Sequence, residues 1–95
     1  MSDTFTTGKG VTVAVDELYT DVYRDCARVL LVTEIVTVRT DLAGRTRCEI
    51  GYRVVMRDGA RVTSGRPQRI DADRITDPKL YQLVTDPALI KRVRS

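Results

Sequence analysis

Residues 28–39 read RVLLVTEIVTVR, and this stretch decides the fold class. Val29, Leu31, Thr33, Ile35, Thr37 and Arg39 form one alternating set; Leu30, Val32, Glu34, Val36 and Val38 form the other. β-Branched residues dominate both sets, and their stiff side chains suit a pleated surface better than a helix. Both sets are apolar over residues 29–32, so that part of a long strand is expected to lie centrally, covered on two sides.

Working outward, Asp41-Leu42-Ala43-Gly44 supplies turn chemistry, with Gly44 free to take a positive φ. Residues 46–56, TRCEIGYRVVM, then return as a second long strand. Cys48, Ile50, Tyr52 and Val54 alternate with Arg47, Glu49, Gly51 and Arg53, an apolar-in, charged-out antiparallel pattern. Gly51 in its middle predicts a bulge or sharp bend. Asp58-Gly59 between apolar runs is a strong hairpin signal. Short strands follow around residues 61–63, 68–70 and 81–84, with one helical turn over 71–75.

On the N-terminal side, residues 11–15 (VTVAV) alternate as a short strand, and residues 1–10 read as a flexible Ser/Thr/Gly-rich arm. Residues 16–28, DELYTDVYRDCAR, place Leu18, Val22 and Cys26 at helical spacing but contain only middling helix formers. They are read as an irregular excursion with a single helical turn. At the other end Asp86-Pro87 offers an N-cap and a first helical position, so residues 88–94 are expected to form a helix burying Leu89, Ile90 and Val93. Five or six strands at short spacing, most joined by Gly- or Asp-containing turns, in 95 residues predict one mainly β domain, a small, partly open antiparallel barrel. Its expected limits are a 1–10 arm, an 11–85 barrel and an 86–95 helix.

Composition excludes several classes. At 42% hydrophobic and 31% charged the chain is globular, and its longest unbroken apolar run, residues 29–32, is far below a membrane span. The opening MSDTFTTGKG lacks a basic start followed by an apolar run, so no secretory signal is expected and the protein is read as cytoplasmic. Histidine is absent, which removes the usual general base near neutral pH and the commonest metal ligand. Cys26 and Cys48 cannot alone close a zinc site; free thiols are the expectation for this compartment, with a disulfide between the two as the alternative. Asp71, Asp73 and Asp77 lack the spacing and glycine of a cation loop. No phosphate-cradling glycine loop or nucleophile elbow occurs. A non-enzymatic protein without cofactor or metal is therefore expected.

The net charge of +3 is uneven: residues 1–50 carry six bases and eight acids, residues 51–95 ten bases and five acids. Arg57, Arg61, Arg66, Arg69 and Arg74 form the densest basic series, and on a hairpin and its following strand several could share one face and hold backbone phosphates. Those arginines equally fit a solvated face paired with Asp58, Asp71 and Asp73. Tyr19, Tyr23, Arg24 and Arg28 precede the long strand, where tyrosine with arginine can stack on bases or grip a peptide. Alternatively the tyrosines cover a core edge while Asp21 and Asp25 pair with the arginines.

The run Tyr19-Thr20-Asp21-Val22-Tyr23-Arg24-Asp25-Cys26-Ala27-Arg28-Val29-Leu30-Leu31-Val32 resembles the opening of small actinobacterial and actinobacteriophage proteins of uncharacterised function. Gly65-Arg66-Pro67-Gln68-Arg69-Ile70-Asp71-Ala72-Asp73-Arg74-Ile75 and Tyr81-Gln82-Leu83-Val84 resemble their later segments. The resemblance implies an SH3-like barrel akin to KOW and Tudor modules, with no assigned activity. The chain departs from that pattern in the extended hairpin over residues 41–63, in Pro67, and in residues 86–95. Two functions are carried forward: a binding module for nucleic acid or a nucleic-acid-associated protein, and a phage or mobile-element assembly module. The second, a protein-protein interaction module, would pair an exposed strand edge either with a protein partner or with itself, as a homodimer for example.

Overall fold

A computed structural model describes residues 4–22, 28–63 and 65–94. Its spine is the hairpin of β4 (Arg28–Thr40) and β5 (Thr46–Arg57), the two stretches whose alternation is strongest in the sequence. The connecting turn is built by Asp41. Its N–H donates to the Arg45 carbonyl at 2.8 Å, and its Oδ1 accepts from the N–H groups of Ala43 (2.9 Å) and Arg45 (3.0 Å). Gly44 takes φ +80°, as expected for a residue that must enter the left-handed region. The Arg45 N–H, more than the Arg47 guanidinium beyond it, holds the Asp41 carboxyl below its ordinary range.

Around this spine lies one curled antiparallel sheet. β3 (Leu18–Asp21) pairs with β4, and β8 (Tyr81–Leu83) pairs with β3. The other edge of β5 is shared by β6 (Ala60–Arg61) at one end and β7 (Gln68–Asp71) at the other. The sheet is a half-barrel: among the described residues no ladder joins β8 to β6 or β7. The gap is filled instead by α1 (Ala72–Ile75), capped by the Asp71 carboxylate, which buries Ala72 and Ile75. Between β5 and β6, Asp58 (φ +52°) and Gly59 (φ +82°) both have positive φ, the signature of the type I′ turn expected of Asp-Gly.

Three features differ from the sequence reading. Residues 4–6 are not a loose arm: β1 (Thr4–Thr6) pairs with β2 (Thr12–Ala14), setting Phe5 opposite Val13, and Thr7 is buried. Phe5 packs on the main core, an anchor that three residues are too few to reveal by periodicity. Residues 18–21 are a strand rather than part of an irregular turn, because successive residues Leu18 and Tyr19 serve two different cores. Residues 23–27 of that excursion lie outside the described residues. Finally, the irregularity expected at Gly51 sits on its neighbour. The unpaired extra residues are Thr33 and Val36 on β4 and Val55 on β5. Gly51 serves a close approach instead, since a Cβ there would lie 2.6 Å from Cγ of Glu34.

The two apolar faces of residues 29–32 have separate partners. Leu30 and Val32 point into the half-barrel with Val13, Tyr19, Ile50, Tyr52, Val54, Ile70 and Ile75. Val29 and Leu31 point to the outside, where α2 (Pro87–Arg94) covers them with Leu89, Ile90 and Val93 over Leu18, Met56 and Val84. The C-terminal helix thus belongs to the same packed body as the sheet. Asp86 Oδ1 accepts from the Ala88 N–H at 3.0 Å, the expected cap. At the opposite end Arg61 Nη2 donates to the Val93 carbonyl and Arg92 Nη2 to the Gly59 carbonyl, both at 3.4 Å. No described helix is long and apolar enough to cross a membrane.

Candidate arginine-bearing interface

Register partners in an antiparallel ladder share a face, so the pairings assign every strand arginine to one side of the sheet. Ile50 with Ile70 and Leu30 with Val54 define the inner face. On the outer face lie Arg53 (opposite Leu31), Arg69 (opposite Gly51), Arg47 with its partner Arg39, and Arg61 (opposite Met56). Glu49 with its partner Asp71, and Glu34 opposite Gly51, share that face. Five arginines against three carboxylates leave a surplus of positive charge spread along β5.

The expected series Arg57, Arg61, Arg66, Arg69 and Arg74 is therefore divided. Arg61 and Arg69 share the outer face. Arg57 pairs with Arg28 and belongs to the other side, at the end of β5. Arg66 is exposed beside β5, next to Gly65, whose missing Cβ would stand 2.5 Å from the Val54 carbonyl oxygen. Arg74 stands exposed on α1, away from the sheet's outer face. Arg39, Arg47 and Arg53 were not singled out from the sequence; the signal for Arg47 and Arg53 was the charged-out half of the alternation over residues 46–56.

Several outer-face arginines are already engaged. Arg47 contacts Asp41 at 3.2 Å and Asp71 at 3.5 Å, and these carboxylates push its pKa up. Arg69 lies 3.9 Å from Glu49, with both side chains largely exposed, so the pair is weak and easily exchanged for another anion. Arg39 and Arg53 have no carboxylate of a described residue within 4.0 Å. Arg53 and Arg61 flank a groove of about 580 Å³ floored by Leu31, Val55, Val62 and Val93.

Of the expected aromatic cluster, Tyr19 is buried in the main core and only 4% exposed, so its ring packs there rather than standing as a platform. Burial, and then the nearby Glu17 carboxylate that accepts its hydroxyl hydrogen bond at 3.4 Å, push its pKa well up. Tyr23 and Arg24 lie outside the described residues. Arg28 is tied to the wholly buried Asp21: Oδ1 accepts the Arg28 backbone N–H at 2.9 Å and Oδ2 its Nε at 2.6 Å.

Two of the three expected acids, Asp71 and Asp77, have structural employment. Asp71 caps α1, and Asp77 Oδ1 accepts from the Lys79 N–H at 2.9 Å. Among the described residues no group of three His, Cys, Asp or Glu could hold a metal ion. Cys48 is a free, buried thiol on the inner face, and burial, reinforced by Asp71 and Glu49, pushes its pKa up. The thiolate is the reactive form, so in a Cys26→Ser background Cys48 should react with an aromatic disulfide reagent only as fast as the protein unfolds. Immediate reaction in the native state would contradict this burial.

Comparison with family models, with characterised proteins and with solved structures finds no match to this chain.

Proposed function

We propose that the protein is a non-catalytic binding module. In this reading its half-barrel is an SH3-like scaffold, similar to KOW and Tudor modules, that presents arginines to nucleic acid or to a nucleic-acid-associated protein. The observation that carries the reading is the outer-face alignment of Arg39, Arg47, Arg53, Arg61 and Arg69 on one sheet. Strand-borne arginines are held by a rigid ladder, and at a rise of ~3.3 Å per residue Arg47 and Arg53, six residues apart on β5, stand ~20 Å from one another, far enough to reach separate phosphates of one bound strand. The carboxylates Glu34, Glu49 and Asp71 interrupt the row, which favours a limited number of phosphate contacts and modest affinity. The groove between Arg53 and Arg61 adds apolar floor beside guanidinium planes, a surface on which a base can stack.

Fluorescence anisotropy with labelled single- and double-stranded DNA and RNA tests the proposal. Binding should appear near micromolar at low salt, with log K falling against log salt at a slope of roughly −2 to −4, as two to four phosphate contacts require. Arg53→Ala with Arg69→Ala should shrink that slope by about 2, whereas Arg74→Ala should leave it unchanged. Absence of binding at low salt, or a slope insensitive to Arg53 and Arg69, would overturn the proposal.

A further inference from the structure

We propose that the outer edge of β4 pairs antiparallel with the same edge of a second copy, about a two-fold axis between Val36 and Thr37. On that edge β3 and the two residues before it hold β4 only as far as Val32, through Asp16 N–H to Val32 carbonyl and Val32 N–H to Glu17 carbonyl, both at 2.9 Å. Among the described strands none pairs with that edge over residues 33–40. An uncovered edge of this kind is a template for another strand. The distal half of the hairpin also carries apolar residues on its inner face, Ile35 half-buried and Val38 53% exposed.

The second copy is selected by the pattern along the edge. Strands paired about a two-fold axis perpendicular to the sheet must set outer residues against outer and inner against inner. On an unbroken strand Glu34 and Arg39, an odd number of residues apart, would lie on opposite faces. The extra residue at Val36 reverses the alternation, so that Glu34, Thr37 and Arg39 are outer while Ile35 and Val38 are inner. The register centred between Val36 and Thr37 then sets Glu34 opposite the second copy's Arg39, Ile35 opposite its Val38 and Thr33 opposite its Thr40. Each match occurs twice by symmetry. Both outer faces fall on the same side of the joined sheet, which doubles the arginine surface without altering either copy.

Sedimentation velocity on the full chain without nucleic acid, up to about 100 µM, tests this pairing at a concentration where weak interfaces are populated. A species of about twice 10.7 kDa is expected. Glu34→Arg and Arg39→Glu should each weaken the dimer roughly tenfold or more, since like charges then stand opposite one another twice. Combining the two substitutions should restore it. The Glu34 side chain packs over Gly51, so should that variant fold poorly by circular dichroism, Arg39→Glu on the exposed arm decides. A monomer throughout, a dimer indifferent to Arg39→Glu, or a well-folded double variant that fails to recover would overturn the proposal.

Discussion

Asp21→Ala should lower stability by about 3–5 kcal/mol, the range for removing one partner of a buried ion pair. The Asp21 side chain is wholly buried and the Arg28 side chain only 16% exposed, so water cannot readily replace the lost carboxylate. The carboxylate also accepts the Arg28 backbone N–H, which begins β4. Its removal therefore takes a carboxylate from the guanidinium and the acceptor from a backbone donor at the start of the longest strand. The loss is a large share of the roughly 5–15 kcal/mol that holds a typical domain together. Urea denaturation of the variant beside the native protein measures it, and a difference below about 1 kcal/mol would mean that the pair behaves like an exposed one.

Leu30→Ala should cost about 2–5 kcal/mol, as for other large-to-small changes in a closed core. Leu30 has no exposed surface and lies between Tyr19 on β3 and Val54 on β5, where neighbouring strands cannot collapse to fill the space. Leu31→Ala tests the other side of the same strand. That residue is half-buried beneath α2, so its loss should be smaller and should loosen the helix more than the sheet. Leu42→Ala at the exposed hairpin tip should change stability by no more than ~0.5 kcal/mol. Equal costs for Leu30 and Leu31 would contradict the division into an inner core and a helix-covered outer one.

The double-faced apolar run at residues 29–32 made the long central strand legible, though not what covers each face. That information resides in residues 87–94, whose Leu89, Ile90 and Val93 return from the far end of the chain. Asp58-Gly59, Gly44 and Asp86-Pro87 were readable because each needs a particular backbone geometry that few residues supply. β1 and β3 were not: Phe5 and the adjacent pair Leu18 and Tyr19 are placed by tertiary contacts that leave no periodic trace over three or four residues. The candidate interface was half visible. Nearness in sequence grouped Arg57 through Arg74, but side-of-sheet assignment depends on strand register, and register was altered by extra residues at Thr33, Val36 and Val55. Those shifts regroup Arg61 and Arg69 with Arg39, Arg47 and Arg53 and turn Arg57 away.

The most direct measurement is an amide chemical-shift titration of the labelled protein with a short oligonucleotide at low salt. Binding through the outer face predicts shifts at Arg39, Arg53, Arg61, Arg69 and their ladder neighbours, reversed by added salt, while α1 and the β1–β2 hairpin stay unchanged. Shifts confined to α1 or to the β1–β2 hairpin, or no shifts at a saturating excess of oligonucleotide, would contradict it.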